Sequence, residues 1–223
     1  MPTVKASLPK IHCSDLQPRQ RRTRPGFKRS TDCYERMMLK HPYRSVFHSR
    51  AELYFAALLE ANPCVEHYVP QPFHLRISGK PYIPDCYRLY QGRKEIIELK
   101  PRGEFDDAIT SALTAFFQHY DMHFLVISNE WALEQSMLAE NWLMIIGQLI
   151  TTQEMETHVE EEQVLDRLTW NEELSLGTLI DPGDRLGHLV TETALFRLLH
   201  RGKVHAKLAD APLDYNTLWS IAV

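Results

Sequence analysis

Residues 84–100 read PDCYRLYQGRKEIIELK, and this stretch decides the fold. Residues 82–90 and 94–100 are rich in aromatic and β-branched side chains. They flank Gln91-Gly92, a turn signal, so the stretch predicts a β-hairpin. Glu98 and Lys100 lie two apart and share one face of their strand, while Leu99 points to the other face, toward a core. Closing the hairpin brings Asp85, next to Pro84 at the start of the first strand, close to Glu98. Two carboxylates and one ammonium then converge at one end of a sheet.

The neighbouring segments extend this pattern. Ser49 opens a helical pattern, SRAELYFAALLEANP, that Asn62 and Pro63 stop. Residues 65–77 alternate as a strand interrupted by Pro70 and Pro72, and 78–81 form a turn. A helix is expected at 106–121, with Ile109, Leu113, Phe116, Phe117 and Tyr120 at helical spacing. The short apolar run HFLVIS at 123–128 reads as a buried strand. The order α-β-β-β-α-β defines an α/β or α+β core. From about 136 the pattern is mainly helical, over 136–150, 159–170, 174–180 and 191–199. Two short strands are expected at 203–209 and 216–223. Three helices and a terminal hairpin follow the order of a winged helix, an order that helical bundles also give.

The trio at the hairpin end suits phosphodiester hydrolysis. Carboxylates are hard oxygen ligands, and Asp85 with Glu98 fits Mg or Mn. Such a metal polarises a phosphoryl group and lowers the pKa of a bound water, and Lys100 is placed to orient that water or to stabilise developing charge. The plainer reading is a surface turn and an exposed Glu/Lys pair. Proline-aspartate followed by E-x-K is a weak motif alone, and its place on adjacent predicted strands gives it weight. Glu52, on the preceding helix, is the candidate third acid. Ser49-Arg50-Ala51-Glu52 also matches the capping box S-x-x-E, and the sequence alone favours capping.

Charge is unevenly spread. The 223 residues carry a formal charge of −4, yet residues 1–30 hold eight cations against Asp15 alone, a net of +7. The remaining residues therefore carry −11. A basic arm on an acidic body points to a polyanion or an acidic partner surface, with Arg21, Arg22, Arg24, Lys28 and Arg29 the expected DNA contacts. A solvated tail is the plainer alternative. Arg197, Arg201, Lys203, His205 and Lys207 form a second basic stretch, open to phosphate or to an acidic protein. Glu154, Glu156, Glu160, Glu161 and Glu162 read as a solvated helix start. The eleven histidines show no metal-ligand spacing.

No secretory signal or membrane-spanning run is visible, since the most apolar stretch, 142–150, is far too short. The four cysteines form no C-x-x-C pair and read as reduced thiols of a cytoplasmic protein.

The runs SRAELYFAALLE, HYVPQPFHLRI, YIPDCYRLY and IIELKPRG, within about residues 45–130, resemble the TnsA family. These are endonuclease subunits of bacterial heteromeric cut-and-paste transposases, related to restriction endonucleases. The Tyr68…Gln71-Pro72-Phe73 element is more specific than the acid/Lys pattern. The resemblance implies a metal site of Glu52, Asp85, Glu98 and Lys100, with Glu52 both capping and ligating. Some members carry Gln where this chain has Glu98. It also implies a restriction-endonuclease-like core at 31–140, after the arm at 1–30, and a winged-helix-like domain at 141–223. Such a subunit cleaves the 5′ strands at transposon ends. A DDE-type transposase, TnsB, joins the 3′ ends, and an AAA+ regulator, TnsC, links both to target choice. A free-standing restriction or repair nuclease and a non-catalytic winged-helix scaffold are the competing expectations.

Overall fold

The structure, a computed structural model, describes residues 9–20 and 32–222. It is a mixed α/β chain that divides into two compact units. The first comprises the described residues among Met1–Arg36, Lys40–Leu53 and Cys64–Glu134; the second comprises those among Met37–Leu39, Tyr54–Pro63 and Gln135–Val223. The division falls within helix α1 (Arg50–Ala61), whose first four residues belong to the first unit.

The first unit is built on a four-stranded sheet. Its strands are β4 (Val65–Pro70), β7 (Cys86–Tyr90), β8 (Arg93–Lys100) and β9 (His123–Ser128), in that spatial order. β7 pairs antiparallel with β4 and β8, while β8 and β9 run parallel across helix α2 (Asp107–Gln118). Gln91 and Gly92 have φ of 49° and 74°, so the β7–β8 hairpin closes on two left-handed residues, a conformation that glycine and a short loop favour. Asp106 caps α2 by accepting from the Ala108 and Ile109 N–H groups. Central strand β8 is buried on both faces, with Ile96 and Ile97 fully covered. Ile96, Val69, Tyr87 and Phe124 pack with Leu113 and Phe117 of α2 into one core.

The expected single strand over 65–77 is two strands. Gln71 takes φ 43° and ends β4, and the chain resumes as β5 (Leu75–Ile77). β5 pairs with β1 (Ile11–Cys13) and β6 (Lys80–Tyr82) in a separate small sheet. The expected strand over 82–90 accordingly splits between β6 and β7, and Asp85 lies one residue before β7. Strand 123–128 occurs as expected but is buried only at Phe124. β9 is an edge strand, and Leu125 and Val126 are exposed. A two-stranded ribbon of β2 (Tyr34–Arg36) and β3 (Ser45–Phe47) precedes α1, and α3 (Asn129–Glu134) follows β9.

The second unit is mainly helical. It contains α4 (Ser136–Thr151), α5 (His158–Thr169), α6 (Leu176–Leu179) and α7 (Leu189–His200). Strands β10 (Leu174–Ser175), β11 (Val204–Ala206) and β12 (Leu218–Ile221) form an antiparallel sheet in the order β10-β12-β11. The helix expected over 174–180 is thus a short strand plus one helical turn, because Leu174 and Ser175 pair with Trp219 and Leu218. No helix among the described residues is long and apolar enough to cross a membrane. Cys13, Cys33, Cys64 and Cys86 form no disulfide among the described residues.

Candidate metal centre

β7 and β8 place the acids. Cys86 pairs with Ile97, so Asp85 lies opposite Glu98 at the end of the hairpin. Asp85 Oδ2 accepts the Leu99 N–H at 2.7 Å, which fixes the carboxylate against β8. Glu98 is 1% exposed, and its two oxygens are divided between two donors. Lys100 Nζ lies 2.9 Å from Oε1, and the Tyr82 hydroxyl donates to Oε2 at 2.6 Å. The period-2 reading of Glu98 and Lys100 therefore holds in space.

Glu52 enters from the first turn of α1. The Glu52 N–H donates to Ser49 Oγ at 3.1 Å, the forward half of a capping box. Its Oε2 accepts the N–H of His48, not of Ser49, at 3.0 Å. The same oxygen accepts from Gln71 Nε2 at 2.7 Å. Gln71 also donates its backbone N–H to the Asp85 carbonyl at 2.9 Å, so one buried residue holds two of the acidic positions. Gln20 donates to Gln71 Oε1 at 2.9 Å and so turns the Gln71 amide nitrogen toward Glu52.

The electrostatics link the four expected residues. Burial pushes Glu52 up to about 7, with its neighbour Glu98 adding to the rise. Burial raises Asp85 well above the ordinary carboxylate range, and Glu98 and Glu52 raise it further. Glu98 is raised by burial, against the pull of Lys100 and Tyr82. Burial works to lower Lys100, yet Glu98, Asp85 and Glu52 carry it above its ordinary value. Three carboxylates thus share a buried end with one ammonium.

That donor set fits a divalent hard cation. Buried carboxylates short of positive charge, all oxygen donors, are the chemistry Mg or Mn selects. Among the described residues no three His, Cys, Asp or Glu side chains stand already grouped around a common ligand position. Glu98 is held by Lys100 and Tyr82, Asp85 by the Leu99 N–H, and Glu52 by Gln71 and the His48 N–H.

Tyr82, Gln71 and Gln20 are the site residues that sequence reasoning did not single out by role. Gln71 stood in the specific Tyr68…Gln71-Pro72-Phe73 element, and that was its only signal. Arg21, Arg22, Arg24, Lys28 and Arg29 lie outside the described residues.

Three of the five cations in the second basic stretch make side-chain contacts within the chain. Arg197 donates to the Thr152, Gln153 and Met155 carbonyls and to Thr157 Oγ1. Arg201 pairs with Glu161 and Lys207 with Glu173. Arg197 is therefore a structural tie, not a phosphate contact, and Glu161 is a buried partner rather than a solvated acid.

Compared with known proteins, the chain matches no family model and no curated protein.

Proposed function

We propose that this chain is a Mg-dependent (or Mn-dependent) DNA endonuclease of restriction-endonuclease-like fold, acting as the TnsA-like subunit of a cut-and-paste transposase. The observation that carries the nuclease reading is the placement of Asp85 opposite Glu98, with Lys100 on Glu98 and Glu52 electrostatically joined to both. Glu52, Asp85 and Glu98 would hold the cation, which when bound supplies a polarised phosphoryl group and a more acidic water. The Leu99 N–H orients Asp85, the Tyr82 hydroxyl orients Glu98, and Gln71 orients Glu52. Lys100 keeps its proton and presents an ammonium to a water or to a phosphate oxygen.

The order α1-β4-β7-β8-α2-β9 of the main sheet and its helices, with β5 and β6 inserted after β4, supports a restriction-endonuclease-like core. The order α5-β10-α6-α7-β11-β12, with sheet order β10-β12-β11, supports a winged-helix-like second unit. Its α7 has no exposed residue, which speaks against that helix entering a DNA groove. Cleavage of the 5′ strands at transposon ends, with TnsB and TnsC as partners, rests on the resemblance within residues 45–130. Localisation in the cytoplasm rests on reading the four cysteines as reduced thiols.

The test is a reconstituted reaction on transposon-end DNA. Asp85→Ala abolishes Mg-dependent 5′-strand cleavage while circular dichroism and partner binding stay unchanged. Full cleavage by Asp85→Ala overturns the site.

A further inference from the structure

A groove of about 1050 Å³ runs beside β4 in the first unit, between residues 18–20, residues 40–46 and the strand itself. That volume is at the top of the ~300–1,000 Å³ range of small-molecule pockets, roomy for one compact ligand and suited to a short stretch of polymer. Arg19, Lys40 and Arg44 line it, and no carboxylate among the described residues does. Tyr43, 72% exposed, and the exposed His67 also line it, the His67 ring tilted against Tyr87 at a centroid distance of 5.8 Å.

Cations interleaved with presented aromatic faces are what a single nucleic-acid strand requires. The guanidinium groups take phosphates, and a ring takes a base of any sequence. Arg19 is paired with Asp15 at 3.6 Å and Arg44 with Glu35 at 2.9 Å, and both arginines are largely exposed. Exposed pairs of this kind are weak, and a phosphate replaces the carboxylate at little cost. A strand of a few nucleotides fits a groove of this volume.

The groove is also physically joined to the acidic end. Gln20 lines it, and the same side-chain nitrogen donates to the Val46 carbonyl at 2.7 Å and to Gln71 Oε1 at 2.9 Å. Gln71 in turn donates to Glu52 Oε2. We infer that this groove is the seat of a single-stranded DNA segment, the unpaired part of the substrate whose phosphodiester meets Glu52, Asp85 and Glu98. The inference rests on the nuclease reading and adds to it where one strand lies and in what form.

The experiment measures binding of a fluorescein-labelled oligothymidine of about ten nucleotides, within the ~4–16 nucleotide span of such sites. The full chain is used with chelator present, so neither metal nor cleavage enters the reading. Wild type binds, and added salt weakens the complex. Tyr43→Ala weakens binding about tenfold, the scale of one stacked base. Arg44→Ala weakens it and lowers the salt slope by about one, while Lys207→Ala, on the second unit, matches wild type. An oligonucleotide carrying 5-iodouracil photo-crosslinks to Tyr43 or His67. Unchanged binding in both groove variants, or capture of a polyglutamate peptide in place of the oligonucleotide, overturns the inference and leaves the nuclease reading standing. Groove-dependent binding alongside full cleavage by Asp85→Ala strikes the acid-site assignment instead.

Discussion

Gln71 donates its side-chain amide to Glu52 at 2.7 Å, joining a residue of left-handed backbone to the first turn of a helix nineteen positions earlier. Because Gln20 occupies the amide oxygen, only the nitrogen can face the carboxylate. Groups that orient a metal ligand typically set about ten- to a hundredfold of metal affinity. Gln71→Asn tolerates the positive φ but falls one methylene short of Glu52. Calorimetry should show its divalent-cation affinity at least about tenfold below wild type, with the fold retained. Equal affinity would remove Gln71 from the site.

The buried acids give stability a definite pH dependence. Burial lifts Glu52 from an ordinary 4.5 to about 7, so the folded chain keeps a proton that the unfolded chain releases between those values. Stability is therefore lost as pH rises through that window, by at most about 3 kcal/mol from Glu52. Asp85 and Glu98 shift in the same direction. Thermal unfolding in chelator should show Tm falling between about pH 5 and about pH 8, with a shallower fall in Glu52→Gln. Saturating Mg should flatten the wild-type curve. A Tm that rises with pH over this range would contradict the burial account.

The Tyr82 hydroxyl favours the ionised form of Glu98 through its 2.6 Å bond. Tyr82→Phe removes that donor and leaves Lys100 as the partner of the carboxylate. Deprotonation of Glu98 then needs a higher pH. The midpoint of cation binding against pH should move upward, while stability changes by about 1 kcal/mol. A midpoint that stays in place would make Tyr82 a packing residue only.

Arg197 satisfies three carbonyls that its loss would leave without that donor. Arg197→Ala should destabilise the chain by about 2–4 kcal/mol in urea unfolding. Oligonucleotide binding, measured where the variant is folded, should equal wild type. Weaker DNA binding at unchanged stability would restore the phosphate role that the sequence suggested.

What could be read in advance was local. Glu98 and Lys100 share a face because strand periodicity is 2, and the Gln91-Gly92 turn fixes the register that sets Asp85 opposite Glu98. Ser49 and Glu52 announce a helix start by their spacing, and the cap forms, shifted by one residue to the His48 N–H. The unread parts depend on distant partners. β4 ends at Gln71 because that residue turns left-handed and bonds Asp85, and no periodicity encodes such a contact. Leu174 and Ser175 join a sheet through residues more than forty positions later, which overrides a helical pattern. The run HFLVIS is apolar enough for a central strand, yet the sheet order leaves it at an edge. The charges of the second basic stretch looked free in one dimension and are mostly paired in three.

The central claim is that Glu52, Asp85 and Glu98 together hold a divalent cation at the end of β7 and β8. Titration of Mn(II) followed by electron paramagnetic resonance tests it most directly, because bound and free ions are counted without any need for turnover. Wild type should take up Mn(II) that Mg displaces, with uptake strengthening as pH rises through about 7, where Glu52 loses its proton. Asp85→Ala, folded by circular dichroism, should show free Mn(II) only. Equal uptake by wild type and Asp85→Ala would contradict the account.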